Sequence, residues 1–369
     1  MSEPRRDVPL TEITLADLPD IARGAAVLGT GGGGDPHIGR LLAEAALRRH
    51  GPVRMAALAD LPDDAVVLPV AMMGAPTVMV EKLPSTEQVG HAVAVLTRHL
   101  GLTVTHIACD EAGGVNSLIP VVAAAELGLP LVDADGMGRA FPELQMTLPT
   151  LYGIRATPMS IVDEKGNAGV FDTVDNTWAE RLARTATIQM GCSAMISNYA
   201  MSGAQARESL VGGTLSLAAA LGRTLAAARG SDDPVTPLVE HLGGAVLFSG
   251  KVVDVVRRTT AGFARGEAHL EGTGVDTGST MLLQFQNENL VAERDGRLVA
   301  TVPDLISALD TQTGEAVTTE TLRYGHRVTV VASPCDPRWH TPAGLALAGP
   351  RVFGYDVDPV PLPVKEVSA

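Results

Sequence analysis

Residues 109–146, CDEAGGVNSLIPVVAAAELGLPLVDADGMGRAFPELQM, constrain the fold of this chain more than any other stretch. The apolar runs 104–108 and 129–132 are short, bounded by turn residues and rich in β-branched side chains, so they read as buried strands. Between them Ile119–Leu127 has helical spacing and strong helix formers, and two strands joined through a helix must run parallel. Acids gather at both strand ends. Cys109, Asp110 and Glu111 follow the first strand, and Asp133 and Asp135 follow the second. Ligands of open parallel sheets bind beyond the carboxyl ends of the strands, so a pocket is expected there.

The rest of the first half fits that unit. Runs 53–58 and 65–71 read as strands, 72–76 as a loop at a strand end, and Glu87–Leu100 as an amphipathic helix. This alternation predicts a doubly wound, three-layer α/β domain with a parallel sheet over residues 10–160. After 160 the texture changes. Runs 159–162 and 168–172 flank the turn EKGN and predict a hairpin, Asn176–Gln189 a helix, and 210–229 another helix with a Thr214 cap. Beyond 237 alternating runs and the Asp295-Gly296 turn signal predict antiparallel strands, so 161–365 is expected to form a β-rich, α+β domain with a barrel-like or sandwich core. The proline-bearing tail 339–361 reads as extended loops.

The glycine run GTGGGGDP at 29–36 matches G-x-G-x-x-G through Gly29, Gly31 and Gly34. That fingerprint needs a strand in front, whereas 14–28, with Thr14 as cap, reads as a helix, which weighs against a nicotinamide or flavin site. Asp35 as N-cap and Pro36 at the first helical position start a second helix. Gly32 and Gly33 then offer backbone N–H groups to an anion or a polar ring; a tight turn permitting close packing is the other reading.

With a net charge of -14 and 3% aromatic residues, the chain has neither the basic stripe nor the stacking platform of a nucleic-acid binder. Its apolar runs break well short of the roughly 20 residues of a membrane span, and MSEPRRDVPLTE has no apolar signal core. A cytoplasmic homo-oligomer acting on a small molecule, without nucleic-acid or membrane partners, is expected. Three scattered cysteines, Cys109, Cys192 and Cys335, suit thiols or metal ligands better than disulfides.

Five segments, GTGGGGDP (29–36), EAGGVNSLIP (111–120), DADGMGRAFPELQM (133–146), GTLSLAAALGR (213–223) and GPRVFGYD (349–356), together resemble the bacterial S-methyl thiohydantoin desulfurase family, in collinear order over nearly the whole chain. The resemblance implies a Rossmann-like N-terminal domain and a β-rich C-terminal one. It also implies a hydrolase that releases methanethiol from a five-membered hydantoin-type ring, with catalysis resembling that of metal-assisted hydrolases. Members are often encoded beside hydantoinases and oxoprolinases, so a non-catalytic binding subunit for such an enzyme is the alternative.

Replacing S-methyl by oxygen needs an activated water, stabilisation of a tetrahedral centre and help for the leaving thiolate; a divalent metal, zinc first, supplies the first two. No H-x-H, H-E-x-x-H or C-x-x-C spacing marks its ligands, so they must come from separate loops, and Cys109, Asp133 and Cys192 are the expected set. Glu111, Asp135 and Cys192 are the expected catalytic residues. Glu111 is the preferred general acid or base, with capping of the helix near Asn116 as its structural alternative. Cys192, in GCSA, reads as ligand, nucleophile or buried thiol. Gly32, Gly33, Asp35, Asn116, Arg139 and Glu143 are expected to bind substrate. Asn116 has a donor and an acceptor for ring amides, or caps a helix. Asp133 and Asp135 share a strand face and await a cation or Arg139, and Glu143 stands one helical turn from Arg139.

Overall fold

The computed structural model describes residues 8–74, 85–260, 262–360 and 362. The expected loop at 72–76 falls partly outside them: Met72 to Gly74 complete a strand, and 75–76 lie beyond the described residues.

The first sheet has ten strands: β1 (Glu12–Ile13), β2 (Val53–Ala57), β3 (Val66–Gly74), β4 (His106–Cys109), β5 (Leu131–Asp135), β6 (Met159–Val162), β7 (Ala168–Phe171), β8 (Ser193–Ser197), β9 (Met201–Ser202) and β10 (Val211–Gly212). They run in the order β1-β2-β5-β4-β3-β8-β6-β7, with β9 on β3 and β10 on β5. Strands β2, β5, β4 and β3 are parallel and the others pair antiparallel, so the sheet is mixed. The helices are α1 (Leu18–Leu28), α2 (Pro36–His50), α3 (Glu87–Leu100), α4 (Ile119–Leu127), α5 (Leu148–Leu151), α6 (Asn176–Gln189), α7 (Gly203–Ser209), α8 (Thr214–Ala228), α9 (Thr236–His241) and α10 (Pro342–Ala348).

Both faces of the sheet are covered, which is why β3 reads as an unbroken apolar run. Leu68, Val70 and Met72 enter a core with α1 to α4 and α8, while Val67, Ala71 and Met73 enter another with α6 and α7. Helix α4 is buried almost all round, so its sequence shows no polar face.

The second sheet has seven antiparallel strands: β11 (Ala245–Thr260), β12 (Phe263–Gly272), β13 (Thr280–Gln286), β14 (Glu288–Arg294), β15 (Arg297–Thr301), β16 (Leu305–Asp310) and β17 (Arg327–Ser333), ordered β15-β14-β13-β12-β11-β17-β16. It curls until β16 returns against β14, around an interior that includes Phe248, Leu270, Leu283 and Val330. Asp295 and Gly296 both adopt left-handed backbone at the β14–β15 turn, as the Asp-Gly signal requires.

Three expectations need correction. Strands β6 to β10, all beyond residue 158, extend the first sheet. A hairpin signal tells which two strands pair with each other and nothing about the sheet they join. Helix α1 starts at Leu18, not after Thr14, because the Asp17 carboxylate accepts the Thr14 N–H and hydroxyl and holds that turn ahead of the helix. The tail is not wholly extended: Thr341 caps α10 at Gly344 and Pro342 occupies its first turn.

Candidate active site

The glycine loop joins α1 to α2, so no strand precedes it and the dinucleotide fingerprint fails on structural grounds. Its glycines are required by close approach. Gly33 (φ 73°) and Gly114 (φ 56°) lie backbone to backbone, with Val115 N–H donating to Gly33 O at 2.9 Å; a Cβ on Gly114 would fall 2.2 Å from that oxygen. A Cβ on Gly32 would fall 2.0 Å from Glu288 Oε1. The polar group that meets the loop is therefore one of the chain's own side chains. Glu288, from the start of β14, lies against the loop and accepts the Gly33 N–H. The loop is fastened to the second sheet by Asn289 N–H to Thr30 O and Thr319 N–H to Gly31 O, both 2.8 Å.

A cavity of about 80 Å³ opens between this loop, the carboxyl ends of β3 and β4, residues 137–144 and the β13–β14 turn. Asp110, Glu111, Asn116, Glu143, Arg184, Asn287 and Glu288 are its polar lining. Glu111 is held by one oxygen, Oε2, which accepts from Asn116 Nδ2 at 2.8 Å. Asn116 is itself fixed to β3, accepting from Met72 N–H at 2.7 Å and donating to Met72 O at 3.2 Å. Neither residue caps a helix: the turn Gly114–Ser117 and α4 both lack side-chain caps. Glu111 Oε1 and Glu288 Oε2 are buried without a protein partner. Burial, and then the neighbouring Glu288, pushes the Glu111 carboxyl well above its usual range. Burial likewise lifts Glu288 to about 8, against the pull of Arg139, and Asp110 to about 7, against its bond from Asn198. Arg184 is the cationic member of the lining, held by Glu180 at 2.7 Å and by Pro142 O at 3.1 Å.

The other expected residues do different work. Asp135 is fully buried beneath the site, where its carboxylate accepts the N–H groups of Ala112, Met137 and Gly138. Burial raises it to about 6, with those three bonds opposing. Asp133 accepts from Leu215 N–H, Ser216 N–H and the Ser216 hydroxyl, and so caps α8, whose N-cap residue is Gly213. Both acids face helix or loop amides, and neither meets Arg139. The segment 136–146 is not helical, which removes the expected pairing of Arg139 with Glu143. The buried Arg139 guanidinium instead binds Ala140 O, Pro303 O, Asp304 O and the Thr30 hydroxyl, and stacks 4.5 Å over Phe141. Asp35 caps α2 through His37 N–H and borders a separate surface groove.

The expected metal set is not brought together. The Cys109 thiol is buried and directed at Glu111 O and Asn116 O, Asp133 is taken up by α8, and Cys192 lies at the α6–β8 junction with φ 63°, outside the cavity lining. Among the described residues, one group of three ligand atoms lies within 4.8 Å of one another: Asp304, Cys335 and His340. Glu288 escaped the sequence reading because it sits in a run taken as plain strand. Its signal was present in Gln286, Asn287, Glu288 and Asn289, four successive polar residues where an apolar strand pattern should continue.

Comparison with known proteins agrees with the resemblance. Residues 16–173 match the N-terminal domain and residues 174–362 the C-terminal domain described as S-Me-THD-like. The chain belongs to the S-methyl thiohydantoin desulfurase-like family. Among solved structures it is similar to a crystal structure of a protein from Chromobacterium violaceum, with 25% identity, a TM-score of 0.81, and coverage of 95% of this chain and 100% of that one. No curated protein gives a significant match. Among the described residues no helix is long and apolar enough to cross a membrane.

Proposed function

We propose that this chain is a hydrolase that cleaves the C–S bond of an S-methyl thiohydantoin or a related cyclic amide, using the carboxyl groups of its cavity as acid and base. The observation that carries the reading is the pair Glu111 and Glu288, buried neighbours brought from the two sheets, each with one oxygen that no protein group satisfies. An unsatisfied buried acceptor costs about 1–3 kcal/mol, which water or a ligand N–H in the cavity relieves. Two adjacent buried carboxyls do not both ionise readily, so once the first of their protons is lost the pair holds one proton to give and one vacancy to receive.

The chemistry matches that pairing. The ionised carboxylate takes a proton from water as its oxygen bonds to the amidine-like carbon, and the C=N electron pair moves to the ring nitrogen. Collapse restores C=O and breaks C–S, and the protonated carboxyl supplies the proton that leaves with methanethiol. Of the two protons of water, one ends on ring nitrogen and one on sulfur. Asn116 positions Glu111, and Arg184 offsets the negative charge of the lining. Family membership supports this choice of substrate class, and the small polar cavity is compatible with it. Among the described residues, no group of three ligand atoms within 4.8 Å of one another lines this cavity, and no step here uses zinc.

Thiol release from an S-methyl thiohydantoin tests the reading. Glu111→Gln should fold as the native chain does and lose about 10²–10⁴ in kcat, the usual worth of a general acid or base. Unchanged turnover would remove Glu111 from the mechanism.

A further inference from the structure

A second cluster of reactive side chains lies outside the cavity, beyond the buried Arg139. The antiparallel pairing of Leu305 with Ser333 sets Asp304, just before β16, beside Cys335, two residues past β17. The turn Pro337–His340 then brings His340 back to the same point. That turn is rigid. Asp336 binds Arg338 through N–H and guanidinium, and the buried Trp339 indole donates to Met137 O at 2.8 Å.

The Asp304 carboxylate is the hub. Its Oδ1 accepts the Cys335 N–H at 3.0 Å and meets His340 Nε2 at 2.9 Å, its Oδ2 accepts the Leu362 N–H at 2.8 Å, and the Cys335 thiol, which donates to Asp336 O at 3.4 Å, lies within 4.8 Å of that carboxylate and of the imidazole. Thiol, imidazole and carboxylate thus gather at one spot, and a metal there displaces the thiol proton. Among the described residues, His340 is the one ion-pair partner of Asp304, whose side chain is only 1% exposed.

We propose that Asp304, Cys335 and His340 bind one zinc ion, independently of the chemistry assigned to the cavity. The donor set is one zinc accepts: a thiolate, an imidazole and a carboxylate. Charge balances too, since the dication is neutralised by one thiolate and one carboxylate, while the nearby Arg338 is already paired with Asp336. Ligands at ordinary zinc bond lengths stand about 3.3–3.8 Å apart on a tetrahedron. From atoms already within 4.8 Å, side-chain shifts of about an ångström complete the geometry. The His340 side chain is 27% exposed, so water has access to complete the ion's coordination. The ion ties the chain before β16 to the turn after β17, and Asp304 also holds the segment at Leu362 through its N–H.

The test is metal binding by the full, tag-free chain without substrate. Zinc should remain at one per chain through gel filtration and raise the melting temperature. Cobalt should give tetrahedral visible bands with a thiolate charge-transfer band in the near ultraviolet. Cys335→Ser should abolish the charge-transfer band, and Cys335→Ser and His340→Gln should each weaken zinc by at least roughly tenfold, the smallest loss common even for groups behind a ligand. A folded chain that retains no zinc, a cobalt complex without the thiolate band, or Cys335→Ser binding both metals unchanged would overturn the site. Because substrate is absent, failure here leaves the acid–base reading of the cavity standing.

Discussion

Two pairs of buried acids lie around one βαβ unit, one pair within it and one completed from the second sheet, and they do opposite work. Asp133 and Asp135 have their oxygens filled by amides and a hydroxyl, which fix the first turn of α8 and the turns after β4 and β5. Glu111 and Glu288 each keep an empty acceptor beside a cavity. Burial alone therefore does not mark a functional carboxylate. What distinguishes the pairs is whether the fold has already used their hydrogen-bonding capacity.

That comparison breaks most visibly in turnover. Glu111→Gln should lose orders of magnitude in thiol release with little change in unfolding midpoint, whereas a large loss of stability with normal turnover would place Glu111 with the structural acids. The next effect is on pH dependence. Glu288 is raised from 4.5 to about 8 in the folded chain, so between those values the native state holds a proton the unfolded state has lost. Its contribution is complete below about 4.5 and disappears as pH rises through about 8. The native chain should therefore lose stability over this window more steeply than Glu288→Gln does, as followed by denaturant unfolding at several pH values; parallel curves would contradict the raised carboxyl. Smaller again, Asp135→Asn should cost about 1–3 kcal/mol through N–H groups left without an acceptor. Asp133→Ala should cost about 1 kcal/mol through the lost cap on α8. A stability-neutral Asp135→Asn that abolishes turnover would reverse the assignment of the two pairs.

The βαβ unit was legible because periodicity and turn chemistry are local: the spans of α3, α4 and α6 follow from spacing alone. Of the five side chains expected in a pocket at the carboxyl ends of β4 and β5, Asp110 and Glu111 line the cavity, while Cys109, Asp133 and Asp135 do not. What could not be read was partnership at long range. Asp133 and Asp135 lie about where expected, yet their partners come from α8 and two loops, and strand spacing says nothing of those. Arg139 reaches Pro303 and Asp304 rather than nearby Glu143 because residues 136–146 never close a helical turn. Glu288 completes the acid pair from the second sheet, a contact set by how the β13–β14 turn docks on the glycine loop. The homo-oligomer expected from the sequence stays a proposal for sedimentation to address.

The central claim is that the acids with empty acceptors turn a substrate over rather than merely hold it. Incubating the native chain with an S-methyl thiohydantoin in ¹⁸O-water and weighing the product by mass spectrometry tests this most directly. The account predicts methanethiol and hydantoin in equal amounts, with one solvent oxygen in the new ring carbonyl. A ring that binds and is recovered unlabelled, with its S-methyl group intact, would contradict it.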